Sequence, residues 1–392
     1  MAEPQILDLF AGAGGWEEAL RTLGRRALGI ELDTTASATA VAAGHERLID
    51  DVAALDPWEF APLWGLIASP PCQAYSVAGH RLGRLDKRHV IACAHDLAAG
   101  RDTRAARLRA CEDDRSLLTV EPLRFVLALR PRWVAMEQVP PVAELWSIFA
   151  ELLSDHGYSR ATGVLSAERY GVPQVRKRAF LIASLDGEVN LPEPSHRSFH
   201  PRRHRTPEEE LHLPQWVSMA EALGWGEEPA TLRSNHTSSG RHPGGAPRSL
   251  DRPAFTLISS SCAWKIEPGS RGATGAGRST GRHSNGCSED CRRCGEHRQK
   301  GSKDCARRPL SCSRPRKPAA QRCSVHPCSR EAVRVTVEQA GVLQGFRHDY
   351  PWHGSRLQRF RQIGNAVCPP LARLVLREAM RPSLERGGTR RG

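Results

Sequence analysis

Short apolar runs alternate with helical patterns along this chain. Four runs are typical of strands buried within a sheet: 5–10, 27–30, 66–68 and 133–136. Three segments have the apolar spacing of a helix: 16–23, 336–344 and 369–380. The alternation of strand and helix in the first part of the chain predicts an α/β fold with a largely parallel sheet.

The ends of the first two predicted strands, and of a further apolar segment that ends at residue 50, carry residues that suit a nucleoside. Gly12 and Gly14 follow the first strand, where glycine lets the backbone approach a ligand at a helix N-terminus. Glu31 follows the second strand and suits a ribose diol, while Asp51 follows the third apolar segment and suits an exocyclic amine. Each acid alone fits a helix N-cap or a solvated loop equally well, but together the three strand ends favour an adenosine site. Glu17 stands where the dehydrogenase fingerprint has its third glycine, so that fingerprint is absent.

Two chemically interesting residues follow later strands. Cys72 lies in the proline-containing turn 69–76, directly after the run 66–68. This cysteine is either a small buried hydrophobe or a nucleophile that reacts as the thiolate. Glu137 follows the run 133–136, and packing explains an acid at that position poorly. Both residues fall where open α/β sheets bind their ligands.

Net charge, the length of the apolar runs and the cysteines indicate which partners and which compartment to expect. The 392 residues carry a net charge of +13, which suggests a polyanionic partner such as nucleic acid. No apolar run reaches membrane-spanning length and no signal peptide is recognisable, so we expect a cytoplasmic protein without a membrane anchor. Eight of the twelve cysteines lie between Cys262 and Cys328, and in this context reduced thiols or metal ligands are favoured over disulfides.

Six blocks of sequence, in this order, resemble motifs of the DNA (cytosine-5) methyltransferase family. They are residues 8–15 (DLFAGAGG), 71–73 (PCQ), 137–139 (EQV), 169–178 (RYGVPQVRKR), 337–352 (VEQAGVLQGFRHDYPW) and 362–367 (QIGNAV). The resemblance covers about residues 5–185 and 333–380. The chain departs from the family pattern at Tyr75, where phenylalanine is usual, and at Gln138, where asparagine is usual.

The resemblance implies transfer of a methyl group from S-adenosylmethionine to C5 of cytosine. Cys72 would attack C6 of the ring, and Glu137 would hydrogen-bond or protonate N3. Arg178 would contact the O2 side of the cytosine, and Arg176 would lie near Cys72 and favour its thiolate. A further set of residues would line the S-adenosylmethionine pocket: Phe10, Gly12, Gly14, Glu31, Asp51 and Asn365. No metal is expected in this site.

The implied fold is a Rossmann-like S-adenosylmethionine-dependent methyltransferase sheet with a small inserted target-recognition domain. Residues 1–185 would bind cofactor and cytosine, 186–332 would be the target-recognition region, and 333–392 would complete the catalytic domain. The partner would be double-stranded DNA, bound by a monomer, in restriction–modification with a cognate endonuclease or in epigenetic marking. Because Cys72 cannot reach a base within a duplex, the cytosine would be flipped out, at a cost of about a few kcal/mol.

The segment 265–331 differs in composition from the rest of the chain. It contains no Phe, Trp or Tyr and carries sixteen Lys and Arg against six Asp and Glu, so it cannot bury enough apolar surface to fold alone. Three explanations remain open at this point: a disordered basic insertion that binds phosphates, a zinc module, and a locally shifted reading frame. The zinc module would use cysteines and histidines between Cys287 and Cys328.

Two other functions are compatible with the sequence. The same chemistry can methylate a cytosine in transfer RNA, and the same fold can serve a basic DNA-binding protein that has lost catalysis. Comparing methyl incorporation into duplex DNA and into tRNA distinguishes a DNA methyltransferase from a tRNA methyltransferase. Covalent trapping through Cys72 distinguishes an active enzyme from a DNA-binding protein that has lost catalysis.

Overall fold

The computed structural model describes most of the chain. The described residues are 5–75, 83–200, 207–225, 230–233, 248–258, 261, 264–268 and 333–388. The strands are β1 Ile6–Leu9, β2 Leu28–Ile30, β3 Glu46–Leu48, β4 Gly65–Ala68, β5 Trp133–Gln138, β6 Ser159–Ser166, β7 Lys177–Ser184, β8 Ala230–Arg233, β9 Arg248–Ser249, β10 Lys265–Pro268 and β11 Val333–Arg334. The α-helices are α1 Gly15–Thr22, α2 Thr34–Ala42, α3 Gly83–Ala98, α4 Arg104–Leu108, α5 Glu121–Leu129, α6 Ala143–Asp155, α7 Met219–Ala222, α8 Val337–Gln344, α9 Arg356–Asn365 and α10 Pro369–Gly388.

A seven-stranded sheet forms the centre of the molecule, in the order β3-β2-β1-β4-β5-β7-β6. The first five strands of this order are parallel, and β7 runs antiparallel to both of its neighbours. The registers pair Leu9 with Ala68 and Ala68 with Met136, so the C-terminal ends of β1, β4 and β5 meet at one edge. The predicted α/β fold with a largely parallel sheet is therefore confirmed, and β5 extends through Glu137 and Gln138.

Helices cover both faces of this sheet, which explains why its strands are apolar on both sides. On one face α1 and α10 pack together, with Trp16 and Leu20 against Leu376 and Ala379. On the other face α3, α5 and α6 bury residues such as Phe125 against the strands. Burial of each large apolar side chain contributes roughly 1.5–3 kcal/mol, so both layers hold the strand ends in fixed positions.

A second, four-stranded antiparallel sheet has the order β11-β10-β8-β9. Leu232 of this sheet and Leu250, which follows β9, share a hydrophobic core with Phe346, Trp352 and Phe360 of the C-terminal segment. The two segments on either side of the basic stretch are thus packed into one cluster.

Two sequence features fall partly or wholly beyond the described residues. Residues 265–268, which open the basic segment, form β10, whereas 269–332, including the cysteines and histidines considered for zinc, lie outside the described part of the chain. Ser76, at the end of the proline-containing turn, lies outside it too. In the part of the chain that is described, none of the helices has the length and apolar character needed to cross a bilayer.

Candidate active site

A cavity of about 540 Å³ opens where the parallel strands end. It is lined by the segments that follow β1, β2, β3 and β4, by the end of β5, by the start of β7 and by the end of α9. Its volume lies within the range typical of small-molecule pockets. Eight of the ten predicted site residues line it: Phe10, Gly12, Glu31, Asp51, Asn365, Cys72, Glu137 and Arg178.

The glycine turn after β1 needs its glycines for two different reasons. Gly12 has φ +57° with open space where a Cβ would stand, so it is required for its backbone conformation. Gly14 has φ +101°, and a Cβ there would lie 2.6 Å from the Tyr350 hydroxyl and 2.9 Å from the His45 ring. Gly14 does not line the cavity. It lets Tyr350 reach under the turn and donate a hydrogen bond to the carbonyl of Ala13.

The acids at the strand ends are fixed by backbone N–H groups. Glu31 accepts hydrogen bonds from the N–H of Gly12 at 2.8 Å and of Asp33 at 2.7 Å. Asp51 accepts one from the N–H of Ala53 at 3.0 Å. Each carboxylate oxygen has a further lone pair, so both acids can still accept hydrogen bonds from a ligand. Asp33, which the sequence analysis did not select, caps α2 and also lines the cavity.

The turn that carries Cys72 is held from both sides. Trp16 Nε1 donates a hydrogen bond to Ser69 Oγ at 2.9 Å. Gln138 Nε2 donates to the carbonyl of Pro70 at 2.5 Å, so the end of β5 is tied to the turn. Cys72 itself is partly buried. The longer side chain of Gln138, where asparagine is usual, reaches this carbonyl directly.

The second departure from the family pattern also makes a hydrogen bond. The buried Tyr75 donates its hydroxyl proton to the carbonyl of Ser116 at 3.2 Å, which a phenylalanine cannot do. Ser116 belongs to the 3₁₀ helix Asp114–Val120, from which Arg115 and Leu118 line the cavity. The tyrosine therefore connects the Cys72 turn to a neighbouring wall of the cavity.

Cys72, Glu137 and Arg178 form an electrostatically linked group. Arg178 Nε lies 2.9 Å from Glu137 Oε1, and both side chains are largely buried. Glu137 Oε1 has no hydrogen bond among the described residues, so the contact is an ion pair without hydrogen-bond alignment. Burial raises the pKa of the Cys72 thiol above its ordinary value, while the positive charge of Arg178 opposes this rise and the charge of Glu137 adds to it.

Arg176 lies outside the cavity lining but within electrostatic reach of Cys72. Its guanidinium is fully buried and does not line the cavity. It donates hydrogen bonds to the carbonyls of Leu257 at 3.1 Å, Gly364 at 2.7 Å and Ala366 at 3.1 Å. Burial lowers the pKa of Arg176 to about 10, with the charge of Arg178 acting in the same direction. Arg176 also lowers the pKa of Cys72, but less than Arg178 does.

A buried charged cluster lies beneath the glycine turn. Glu17 forms an ion pair with Arg47, and Arg47 Nη2 donates to the carbonyl of Gly12 at 3.2 Å. Asp8 is completely buried, and no donor among the described residues reaches its carboxylate oxygens, whereas a protonated Asp8 can hydrogen-bond to Glu17. Burial raises the pKa of Asp8 well above its usual range, and the neighbouring Glu17 raises it further. The cluster supports the turn from the side opposite the cavity.

The sequence analysis missed two arginines of the cavity wall. Arg361 precedes Asn365 by one helical turn on α9, and this i, i+4 spacing was a usable signal. Arg115 lies in a 3₁₀ helix that follows no strand, so no pattern in the sequence pointed to it.

Comparisons with known proteins give the family context. The family model for C-5 cytosine-specific DNA methylase matches residues 5–95 and 104–381. The Type II methyltransferase M.DdeI of Desulfomicrobium norvegicum is 30% identical over 192 residues, which are 45% of this chain and 40% of that protein. The Type II methyltransferase M.HgiDI of Herpetosiphon aurantiacus is 29% identical over 198 residues, 47% of this chain and 53% of that protein. The match spans about half the length of these curated relatives.

A solved structure shows the same fold. The crystal structure of S. pombe Dnmt2 methyltransferase aligns with 97% of this chain and 99% of its own, at a TM-score of 0.56 and 14% identity. At this identity the likeness concerns the fold alone.

Proposed function

Because the chain belongs to the C-5 cytosine-specific DNA methylase family, we propose that it transfers a methyl group from S-adenosylmethionine to C5 of a cytosine flipped out of duplex DNA. The observation that carries this proposal is a single cavity lined both by the nucleoside-type groups Gly12, Glu31 and Asp51 and by Cys72 and Glu137. Neither half of this lining alone would distinguish a methyltransferase from a nucleotide-binding protein.

The lining fits S-adenosylmethionine, as expected for a methyltransferase family. Glu31 and Asp51 would accept hydrogen bonds from the ribose hydroxyls and the adenine amine, with Phe10 and Asn365 as further walls. Gly12 leaves open space where a side chain would stand. When bound, S-adenosylmethionine supplies an electrophilic methyl group on a sulfonium centre.

Cys72 and Glu137 would perform the chemistry on the cytosine. A bond forms between the Cys72 sulfur and C6, while Glu137 holds N3 by a hydrogen bond so that negative charge does not accumulate on the ring. The electron pair released at C5 would then take the methyl group, and the sulfonium sulfur would keep the electrons of the broken S–CH3 bond in S-adenosylhomocysteine. Transfer of the C5 proton to water would then break the bond between sulfur and C6, and the Cys72 thiolate would leave. Arg178, 2.9 Å from Glu137, would contact the O2 side of the ring.

Arg176 would act through other residues. It joins the segment that contains Leu257 to the end of α9, which carries Asn365. We therefore propose a positioning role for Arg176 and keep the contact with cytosine for Arg178.

Residues 186–332 would recognise the DNA sequence, between a catalytic part at 1–185 and its completing segment at 333–392. The shared core of Leu232, Leu250, Phe346 and Phe360 supports a fixed connection of this region to the C-terminal segment. Base contacts from such a region carry the specificity, and phosphate contacts from basic residues supply much of the affinity. A cytoplasmic role beside a cognate restriction endonuclease is suggested by relatives named Type II methyltransferases.

Covalent trapping tests the proposal without knowledge of the recognised site. Duplex DNA in which every cytosine is replaced by 5-fluorocytosine offers all sequence contexts, and its fluorine cannot leave as a cation, so the adduct persists. We expect an adduct that requires S-adenosylmethionine and resists denaturation for the wild type, and none for Cys72→Ala. Cys111→Ala is the matched control, because Cys111 is also partly buried but lies outside the cavity lining.

An adduct that survives in Cys72→Ala, or no adduct with either protein, would contradict the assignment. Methyl incorporation into tRNA but not into duplex DNA would keep the chemistry and change the substrate.

A further inference from the structure

Three arginines line the cavity within the described residues, and they differ in their partners. Arg178 is paired with Glu137 at 2.9 Å, and Arg115 Nη2 lies 2.8 Å from Asp113 Oδ2. Arg361 has no ion pair or hydrogen bond with the residues that the structure describes, and it is exposed. It is therefore the cation of the cavity wall that remains available for a ligand.

The end of α9 holds Arg361 in a defined place. Residues 361 and 365 are exposed and the residues between them are buried, so Arg361 and Asn365 share the helix face that borders the cavity. Gln362 Oε1 accepts a hydrogen bond from Thr39 Oγ1 at 2.7 Å. Arg176 binds the carbonyl of Gly364 at 2.7 Å. These contacts fix the helix from which the Arg361 side chain extends.

The remaining charges of the cavity make this cation significant. Four carboxylates follow β2 and β3 in the lining: Glu31, Asp33, Asp50 and Asp51. They suit hydroxyl and amine groups but repel a carboxylate. A ligand that joins a nucleoside to an amino acid brings a carboxylate with it, and a guanidinium can bind that group with two parallel hydrogen bonds.

We propose that Arg361 binds the carboxylate of the amino-acid group of S-adenosylmethionine. This inference rests on the proposed function and adds a binding residue that the motifs did not include. Arg361 thereby separates ligands that carry the amino-acid group from those that carry the nucleoside alone.

Two probes that differ in this group test the inference by equilibrium binding. S-adenosylhomocysteine carries the carboxylate, and 5′-methylthioadenosine keeps the nucleoside thioether but lacks the amino acid. We expect Arg361→Met to weaken the binding of S-adenosylhomocysteine about 10- to 100-fold, because one charge-assisted contact is lost. The affinity for methylthioadenosine should stay within about twofold of the wild-type value. Arg359→Met is the matched control, since Arg359 lies on the same helix, outside the cavity lining, with its Nε on the carbonyl of Gly354 at 2.7 Å.

Several results would overturn the inference. Equal weakening of both probes indicates general damage to the cavity, and unchanged binding of S-adenosylhomocysteine shows that Arg361 does not contact the carboxylate. Weaker binding of a duplex DNA oligonucleotide, with unchanged S-adenosylhomocysteine binding, would assign Arg361 to DNA instead. If the wild type binds neither probe, the proposed function fails as well, and this outcome differs from a failure of Arg361 alone.

Discussion

Arg178 Nε lies 2.9 Å from Glu137 Oε1, so the cation and the acid proposed to meet the cytosine form an ion pair with each other. The pair bridges the antiparallel strands β5 and β7, where Glu137 stands opposite Phe180. A cytosine that enters between them would exchange this contact for bonds to its N3 and O2 sides. Arg176, two residues before Arg178, instead donates through Nη1 and Nη2 to three backbone carbonyls.

Because Arg176 and Arg178 have different partners, their replacement should affect different properties of the protein. Arg176→Met should lower the free energy of unfolding by about 3 kcal/mol or more, because buried carbonyls lose their charged donor. Arg178→Met should abolish trapping on 5-fluorocytosine DNA with a smaller loss of stability, since Glu137 lines the cavity and not a closed core. Urea denaturation and the trapping assay measure the two effects. An Arg176→Met protein as stable as the wild type would contradict the positioning role.

Much of the cavity could be predicted because parallel strands bring their C-terminal ends together. Short apolar runs located β1, β2, β4 and β5, a further apolar segment preceded Asp51 after β3, and the residues at the ends of these segments had to meet at one edge. This local rule was sufficient for Glu31, Asp51, Cys72 and Glu137, all of which line the cavity.

The same rule could not separate Arg176 from Arg178. Side chains two residues apart in an extended chain point to the same side, so the sequence predicted that both Arg176 and Arg178 face the site. The partners of Arg176 are 81 to 190 residues away along the chain, and Tyr350 reaches the Ala13 carbonyl over 337 residues. Such contacts depend on tertiary packing, which no local pattern records.

Asp8 provides a test of the buried cluster beneath the glycine turn. A carboxyl whose pKa rises on folding costs stability above its unfolded pKa of about 3.9, and this cost disappears as the pH falls to that value. Burial raises the pKa of Asp8 well above its usual range. Asp8→Asn should therefore be at least as stable as the wild type at pH 7, and the difference should shrink as the pH decreases toward 4.

Denaturation curves at several pH values check this expectation. Glu17→Gln is the contrasting variant, because it leaves Arg47 buried without its carboxylate and should cost about 3–5 kcal/mol. A loss of more than about 1 kcal/mol in Asp8→Asn at pH 7 would mean that Asp8 is ionised in the folded protein.

Gln138 should position Cys72 without contributing to nucleoside binding. Gln138→Leu removes the donor to the Pro70 carbonyl, which is 2.5 Å away, and leaves a buried carbonyl unpaired at a cost of about 1–3 kcal/mol. We expect the rate of adduct formation to fall about tenfold, in proportion to roughly one lost hydrogen bond, while S-adenosylhomocysteine binding stays within about twofold. Parallel losses in rate and in binding would instead show that the whole cavity had changed.

The reactivity of Cys72 should increase with pH through the range in which its buried thiol ionises. Because burial raises the pKa of this thiol, the thiolate fraction is small at neutral pH and increases about tenfold for each pH unit. Alkylation by iodoacetamide, followed on the Cys72 peptide by mass spectrometry, should accelerate from pH 7 to pH 9 without levelling. A plateau below pH 8 would show that the pKa is lowered instead.

Variants of Arg178 and Glu137 should change the alkylation rate of Cys72 in opposite directions. Arg178→Met should slow alkylation of Cys72 at every pH, because the guanidinium favours the thiolate, and Glu137→Gln should accelerate it, because the carboxylate opposes the thiolate. Cys111 is the internal control: burial raises its pKa to about 11, the charges of Asp86 and Asp114 act in the same direction, and neither variant should change its alkylation rate. If Arg178→Met altered both cysteines equally, the effect would come from loosened packing and not from the charge that faces Cys72.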